Sequence, residues 1–126
     1  LVLREPGALD ELHSYEALVS SELIAVESLR TIDRLRLQGA LTQEEAAERL
    51  RVVADWLEAI DLVLLRPPVL NRASEPLPMP LGTLDAIHLA TALVWRGQMT
   101  ALPVIATRDT ALGLAARTFG FDVVGC

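Results

Sequence analysis

The sequence has 126 residues, of which 52% are hydrophobic and 22% charged, a composition typical of one compact globular domain with a real core. Its formal net charge is −6, and an acidic chain does not bind nucleic acid by electrostatic attraction alone, so such chemistry would need a bound cation. All eleven basic residues are arginines, which excludes mechanisms that need a lysine, including P-loop phosphate binding and Schiff-base formation.

Apolar runs and cysteine content indicate the cellular compartment. The longest apolar runs, such as residues 62–65 and 89–95, are far shorter than the ~20 residues that span a bilayer. The single cysteine, Cys126, cannot form an internal disulfide, in agreement with a reducing compartment. We therefore expect a cytoplasmic protein without a signal peptide and without membrane association.

The first half of the chain predicts three helices and two strands. A short helix is expected over residues 6–13 and a short strand over 17–20. Ser21 is positioned to cap a long helix that ends near Gln38, with Gly39 as its C-terminal stop. Thr42 followed by Glu45 forms a capping box, and apolar residues at helical spacing continue to position 57. Residues 60–65 then read as a buried strand.

The second half continues the alternation of strands and helices. Five prolines make residues 66–82 irregular, with one helical turn expected near 69–73. A helix over 83–95, an extended run over 103–106, a helix over 109–119 and a strand over 121–124 follow. This order predicts an α/β fold in which helices cover both faces of a parallel sheet.

Three acids lie where a parallel sheet places ligand sites, beyond the carboxyl ends of its strands. Asp109 follows the extended run 103–106, Asp85 lies in the first turn of its helix, and Glu27 lies one and a half turns into the long helix. Each also has a purely structural explanation: Asp109 as an N-cap, Asp85 as a helix-dipole acid, and Glu27 as a partner for Arg30. Position alone does not separate the two interpretations.

Three segments, in the expected order, resemble one family. The string LDAIHLATA over residues 84–92 is similar to a signature of VapC-type toxins of the PIN-domain ribonuclease family. The segment IATRD over 105–109 resembles that family's T-x-D block, and Val26-Glu27 resembles the segment that carries the family's helix acid. The resemblance covers the whole chain, and the first string is specific.

The resemblance implies roles for individual residues. It assigns metal binding and catalysis to Glu27, Asp85 and Asp109, and places Thr107 beside the site as a polar neighbour. Glu22, one turn nearer the preceding strand, is the alternative to Glu27 as the helix acid. The implied cofactor is Mg²⁺ or Mn²⁺, because hard cations prefer carboxylate oxygens, and the bound cation offsets the repulsion among the acids and the substrate phosphates.

The resemblance also predicts a single PIN domain over residues 1–126, with a three-layer α/β/α fold and a parallel sheet. Members of the family open with a central strand that reads roughly YLDTSALVK, whose Asp supplies a further acid, and this chain begins at Leu1 without it. We therefore expect a slot between the strands at 17–20 and 103–106. An omitted N-terminal segment, a swapped segment of a second copy or a partner peptide would fill it.

Other polar residues have competing interpretations. His88, one turn from Asp85, could be a metal ligand or general base, but a packed helix residue is the favoured interpretation. Several arginines are candidates for RNA phosphate contacts, although a solvated helix face explains them equally well; they are Arg30, Arg34, Arg108 and Arg117.

The resemblance implies a metal-dependent endoribonuclease toxin of a type II toxin–antitoxin system, which forms a homodimer and is silenced by a cognate VapB-type antitoxin. The alternative is a catalytically inactive PIN-like module that only binds a protein partner. A phosphatase or another α/β hydrolase is disfavoured because the sequence contains neither a D-x-D pair nor a G-x-S-x-G elbow.

Overall fold

The computed structural model describes residues 18–98 and 103–126, so the helix expected over 6–13 and the first residue of the strand expected over 17–20 lie outside the described residues. No helix in these two ranges is long and apolar enough to cross a membrane. The described elements, in chain order, are β1 (Val19–Ser21), α1 (Leu23–Leu37), α2 (Gln43–Ala59), β2 (Asp61–Val63), α3 (Pro67–Ala73), α4 (Thr83–Gln98), β3 (Val104–Ala106), α5 (Thr110–Thr118) and β4 (Asp122–Val124).

The strands form two parallel pairs, which confirms the predicted parallel arrangement. β1 pairs with β2, with Ser20 opposite Leu62, and β3 pairs with β4, with Ile105 opposite Val123. Within residues 18–98 and 103–126 the two pairs are not hydrogen-bonded to each other. The direct pairing of β1 with β3 that would contradict a slot is therefore not seen there, and the strand that would fill the slot stays a prediction.

Helices pack around two apolar clusters. In the first, α1 packs on α2 through Ile32, Leu41, Ala46 and Val53. The second joins α4, α5 and the β4 end of the chain, and its buried members are Leu89, Leu112, Ala115, Ala116 and Phe121. Helices with parallel strands in this order form the predicted three-layer α/β/α fold of mixed class.

An arginine joins α4 to the end of α5. The guanidinium of Arg96 donates a hydrogen bond of 2.6 Å to the carbonyl oxygen of Phe119 and lies 4.2 Å from the ring centroid of Phe121. The bond occupies a carbonyl at the C-terminal end of α5 that the helix itself leaves free. The two contacts hold α4, which carries Asp85 and His88, against α5.

The strand expected at residues 60–65 is shorter and more exposed than predicted. β2 covers only Asp61–Val63, and Leu62 and Leu64 are 37% and 47% exposed. The ladder stops because the Leu65 amide donates to the Glu22 carboxylate, at 2.9 Å, instead of to a neighbouring strand. Among the described strands β2 pairs with β1 alone, so the prediction of a buried strand is wrong for this segment.

The start of α1 differs from the prediction by one residue, whereas its end agrees. Glu22 occupies the N-cap position without a side-chain cap, and the Ser21 hydroxyl accepts a hydrogen bond of 3.3 Å from the Leu23 amide. After the helix, Gly39 has a φ of 76°, the left-handed conformation that glycine adopts most readily at this position. The glycine stop is therefore confirmed.

The predicted capping box at the start of α2 is confirmed. The Thr42 hydroxyl accepts from the Glu45 amide and the Glu45 carboxylate accepts from the Thr42 amide, both at 3.1 Å. The hydrogen bond from the Thr42 amide is the largest of the effects that lower the pKa of Glu45.

We predict that Thr42→Ala lowers the free energy of unfolding by about 1 kcal/mol, because one amide of the first turn loses its acceptor. Urea denaturation measures the change. The matched control is Thr118→Ala, since the exposed Thr118 hydroxyl donates to Leu114 O within its own helix, and its expected change is within ~0.5 kcal/mol. Equal losses in the two variants would contradict a capping role for Thr42.

Candidate active site

Two turns from strand to helix carry predicted site residues. β1 ends at Ser21 and α1 begins at Leu23, with Glu27 in its second turn. β3 ends at Ala106 and α5 begins at Thr110, with Asp109 as its N-cap. Backbone amides at helix starts carry partial positive charge, so both turns favour carboxylates.

The carboxylate and the backbone amide of Asp109 each form a hydrogen bond. Its carboxylate accepts a hydrogen bond of 2.9 Å from the Leu112 amide, the N-cap geometry that the sequence also suggested. Its own amide donates to the Thr107 hydroxyl at 3.1 Å. Thr107 is only 1% exposed, and its amide donates to Val124 O at 3.0 Å, so β4 anchors the turn. Thr107 thus fixes the backbone that presents Asp109.

Glycine at position 125 allows β4 to pass close to this turn. A Cβ atom at Gly125 would lie 2.5 Å from the Thr107 carbonyl oxygen, and its φ of +100° strains any other residue. The close approach is part of what holds Thr107 in place.

Asp85 lies in the first turn of α4 and is partly buried. Burial is the largest cause that raises the pKa of its carboxyl group, and the charge of Asp109 raises it further. The charge of Glu27 acts in the same direction, whereas His88 acts in the opposite one. The charges of two acids from other helices, Asp109 and Glu27, therefore act on Asp85.

Glu27 faces α4. One carboxylate oxygen is hydrogen-bonded to His88 Nε2, and the Glu27 side chain is 37% exposed, against 13% for His88. The purely structural explanation of Glu27 as a partner of Arg30 is wrong, because Arg30 pairs with Asp33 at 3.1 Å. Glu27 is directed toward the helix that carries Asp85.

The two candidate helix acids have different surroundings. Glu22 uses its carboxylate to accept from the Leu65 amide, so it joins the start of α1 to the end of β2. Glu27 instead faces His88 and acts on the charge of Asp85. These contacts favour Glu27 as the site acid and give Glu22 a structural function.

The ligand type of the three carboxylates supports the predicted cation site more strongly than the spacing of their side chains does. Among the residues that the structure describes, no three or more His, Cys, Asp or Glu side chains are grouped as metal ligands. Mg²⁺ keeps several of its waters and uses as few as one or two carboxylates directly, so it does not require such a cage. The charges of Asp109 and Glu27 both disfavour ionised Asp85, which a hydrated hard cation would offset, and the convergence of the three carboxylates on one ion stays a prediction.

Sequence reasoning missed the polar contacts of His88. The packing interpretation is incomplete, because Nδ1 lies 3.2 Å from the Ser21 hydroxyl while Nε2 contacts Glu27. The only signal in the sequence was the spacing of three positions from Asp85, which puts both side chains on one face of α4. Of the arginines considered for RNA contacts, Arg117 donates to Cys126 O at 2.8 Å.

The architecture defines the chain as a parallel α/β domain with interacting acids at the starts of its helices. The model of the PIN domain family matches residues 2–117, and the chain belongs to that family. Ribonuclease VapC47 of Mycobacterium tuberculosis (strain CDC 1551 / Oshkosh) is 32% identical over 123 residues, which cover 96% of this chain and 85% of the relative. The resemblance seen in the sequence is confirmed.

Proposed function

We propose that this PIN-domain protein is a metal-dependent endoribonuclease, the toxin of a type II toxin–antitoxin pair. Family membership and the similarity to a protein named as a ribonuclease support the reaction class. The observation that carries the proposal is the match of residues 2–117 to the PIN domain family together with the 32% identity to that ribonuclease. The raised pKa of Asp85, due to burial first and then to the charges of Asp109 and Glu27, agrees with a functional site, where such combinations are frequent.

In this proposal Glu27, Asp85 and Asp109 hold Mg²⁺ or Mn²⁺. When bound there, such an ion would neutralise charge at the substrate phosphate and would make a bound water molecule more acidic. Asp109 contributes from a rigid N-cap, and Thr107 keeps its backbone in place. The carboxylates provide hard oxygen ligands, and the partial burial of Asp85 strengthens its interaction with a cation.

The proposal extends to partners and organisation. The substrate is RNA, the inhibitor is a VapB-type antitoxin, and a homodimer in the cytoplasm is the working form. A basic antitoxin segment is electrostatically suited to a chain whose net charge is −6. We also propose that residues 1–126 belong to a single domain in which a further strand occupies the space between β1 and β3.

The test is cleavage of end-labelled RNA by the purified chain, and we predict that it requires Mg²⁺ or Mn²⁺ and stops when EDTA is added. Glu27→Gln should lower the rate by about a hundredfold or more, since the lost ligand charge is worth several kcal/mol.

The matched control is Glu22→Gln, on the same helix start. Its amide oxygen can still accept from the Leu65 amide, so we expect cleavage within about twofold of the wild-type rate. Cleavage that survives EDTA, or equal losses in the two variants, would contradict the proposal. A folded wild type that binds a protein partner but cuts no RNA would instead support the inactive binding module.

A further inference from the structure

His88 joins three elements through its two ring nitrogens. Nδ1 lies 3.2 Å from the hydroxyl of Ser21 at the end of β1, and Nε2 is hydrogen-bonded to the carboxylate of Glu27 on α1. The ring itself belongs to α4, and its side chain is 13% exposed. A histidine with both nitrogens bonded in a largely buried position has one well-defined orientation.

The hydrogen bonds around His88 form one connected series. The Leu23 amide donates to the Ser21 hydroxyl at 3.3 Å, and the hydroxyl can donate its own hydrogen to His88 Nδ1, 3.2 Å away. An ionised carboxylate only accepts, so Nε2 carries the proton that is shared with Glu27. These bonds lead from the first amide of α1, through Ser21 and His88, to Glu27 in the second turn of the same helix.

Without this contact Glu27 would have little to hold it. Its side chain is 37% exposed, has three rotatable bonds and is repelled by the charge of Asp85. A hydrogen bond from a fixed ring opposes that repulsion and selects one orientation of the carboxylate. Asp85 lies three positions before His88, on the same face of α4, so the ring that contacts Glu27 belongs to the face that carries Asp85.

We infer that His88 is a positioning residue of the cation site: through Ser21 on one side and Glu27 on the other, it orients the Glu27 carboxylate for metal binding. This inference rests on the proposed function and assigns His88 no contact with substrate. Groups that orient a metal ligand change metal affinity or activity by about 10–100-fold when they are replaced.

The test measures Mn²⁺ binding by electron paramagnetic resonance on the full chain. His88→Leu should weaken binding by about 10–100-fold, His88→Gln should recover part of it by restoring an N–H donor, and Ser21→Ala should cause a smaller loss. The matched control is Thr91→Val, one turn further along α4, which removes a buried hydroxyl that donates to Ile87 O within its own helix and should bind Mn²⁺ as the wild type does.

Two further measurements separate positioning from general support of the fold. Nitrogen NMR of the imidazole should find the proton on Nε2 in the wild type and also in Ser21→Ala, because the Glu27 carboxylate remains its acceptor. In a Glu27→Gln background, His88→Leu should cause no further loss of Mn²⁺ affinity, because its effect passes through that carboxylate. If His88→Leu does not fold, His88→Gln takes its place in this comparison.

The possible results distinguish a failure of the inference about His88 from a failure of the proposed function. Mn²⁺ affinity that is unchanged in His88→Leu, or losses that add fully to those of Glu27→Gln, would overturn the inference and leave the proposed function standing. A wild type that binds no Mn²⁺ and cuts no RNA would overturn the proposed function and the inference with it.

Discussion

Asp85→Asn should abolish RNA cleavage, with a rate at least about a thousandfold below the wild type, while the protein stays folded. Asparagine keeps the shape and the position in the first turn of α4 but lacks the anionic oxygen that a hard cation needs. The rate with labelled RNA and the circular dichroism spectrum are measured on the same preparation. Cleavage above about a tenth of the wild-type rate would mean that Asp85 is not a ligand.

Asp85→Asn should abolish cleavage, but in the presence of a chelator it should not lower the stability of the fold. The pKa of Asp85 in the folded chain lies above its unfolded value, mainly because of burial and then because of Asp109, so the folded state binds the proton more tightly. The stabilisation due to that proton is fully present below the unfolded pKa and is lost as the pH rises through the folded pKa. Over this window the wild type should lose stability relative to Asp85→Asn, which does not titrate.

Urea denaturation in EDTA over a series of pH values measures this difference. At neutral pH the variant should be at least as stable as the wild type. A variant that is clearly less stable would show that the ionised Asp85 carboxylate stabilises the fold, which contradicts a pKa raised by burial and by the charges of Asp109 and Glu27.

Two substitutions of Asp109 should separate its proposed function as a metal ligand from its function as an N-cap. Asp109→Asn and Asp109→Ala should both lower cleavage by about a hundredfold or more, because both remove a charged ligand. Only Asp109→Ala should lower the free energy of unfolding, by about 1 kcal/mol, since asparagine can still accept from the Leu112 amide at the start of α5.

Cleavage assays and urea denaturation on the pair decide between the functional and the structural explanation. If Asp109→Asn cuts RNA at the wild-type rate, Asp109 is an N-cap and nothing more. Equal stability losses in the two variants would contradict the capping function seen in the hydrogen bond to Leu112.

Local signals predicted the helices well because the interactions that begin and end helices lie within a few residues. The capping box of Thr42 and Glu45 and the left-handed Gly39 are formed by neighbours in sequence, and the structure contains both. Ser21 was placed one residue too early as an N-cap, since Glu22 adopts that position and uses its side chain elsewhere.

Strands were predicted less accurately because their length depends on distant partners. The apolar run at residues 60–65 indicated a buried strand, yet β2 ends at Val63. Beyond that point the Leu65 amide donates to the carboxylate of Glu22, which lies 43 positions away in sequence. No periodicity in a single segment reports such a contact. The parallel order of strands and helices was predictable, whereas the pairing of β1 with β2 alone among the described strands was not.

The candidate site was accessible from the sequence through resemblance and only partly through position. Helix-start acids are common, and the string around Asp85 singled out this one. The contacts of His88 with Ser21 and Glu27 span 67 and 61 positions, so only the folded chain reveals them. The same is true of Glu22, whose bond to the Leu65 amide distinguishes it from Glu27.

The most direct test of the account is the anomalous scattering of Mn²⁺ in crystals of the full chain grown with that ion. We expect a peak between Glu27, Asp85 and Asp109, with at least one carboxylate at about 2 Å and the others no farther than one bridging water. Loss of the peak in Asp85→Asn crystals would complete the result. A peak elsewhere on the molecule, or carboxyl groups too far apart for one hydrated ion to bridge, would contradict the shared cation site.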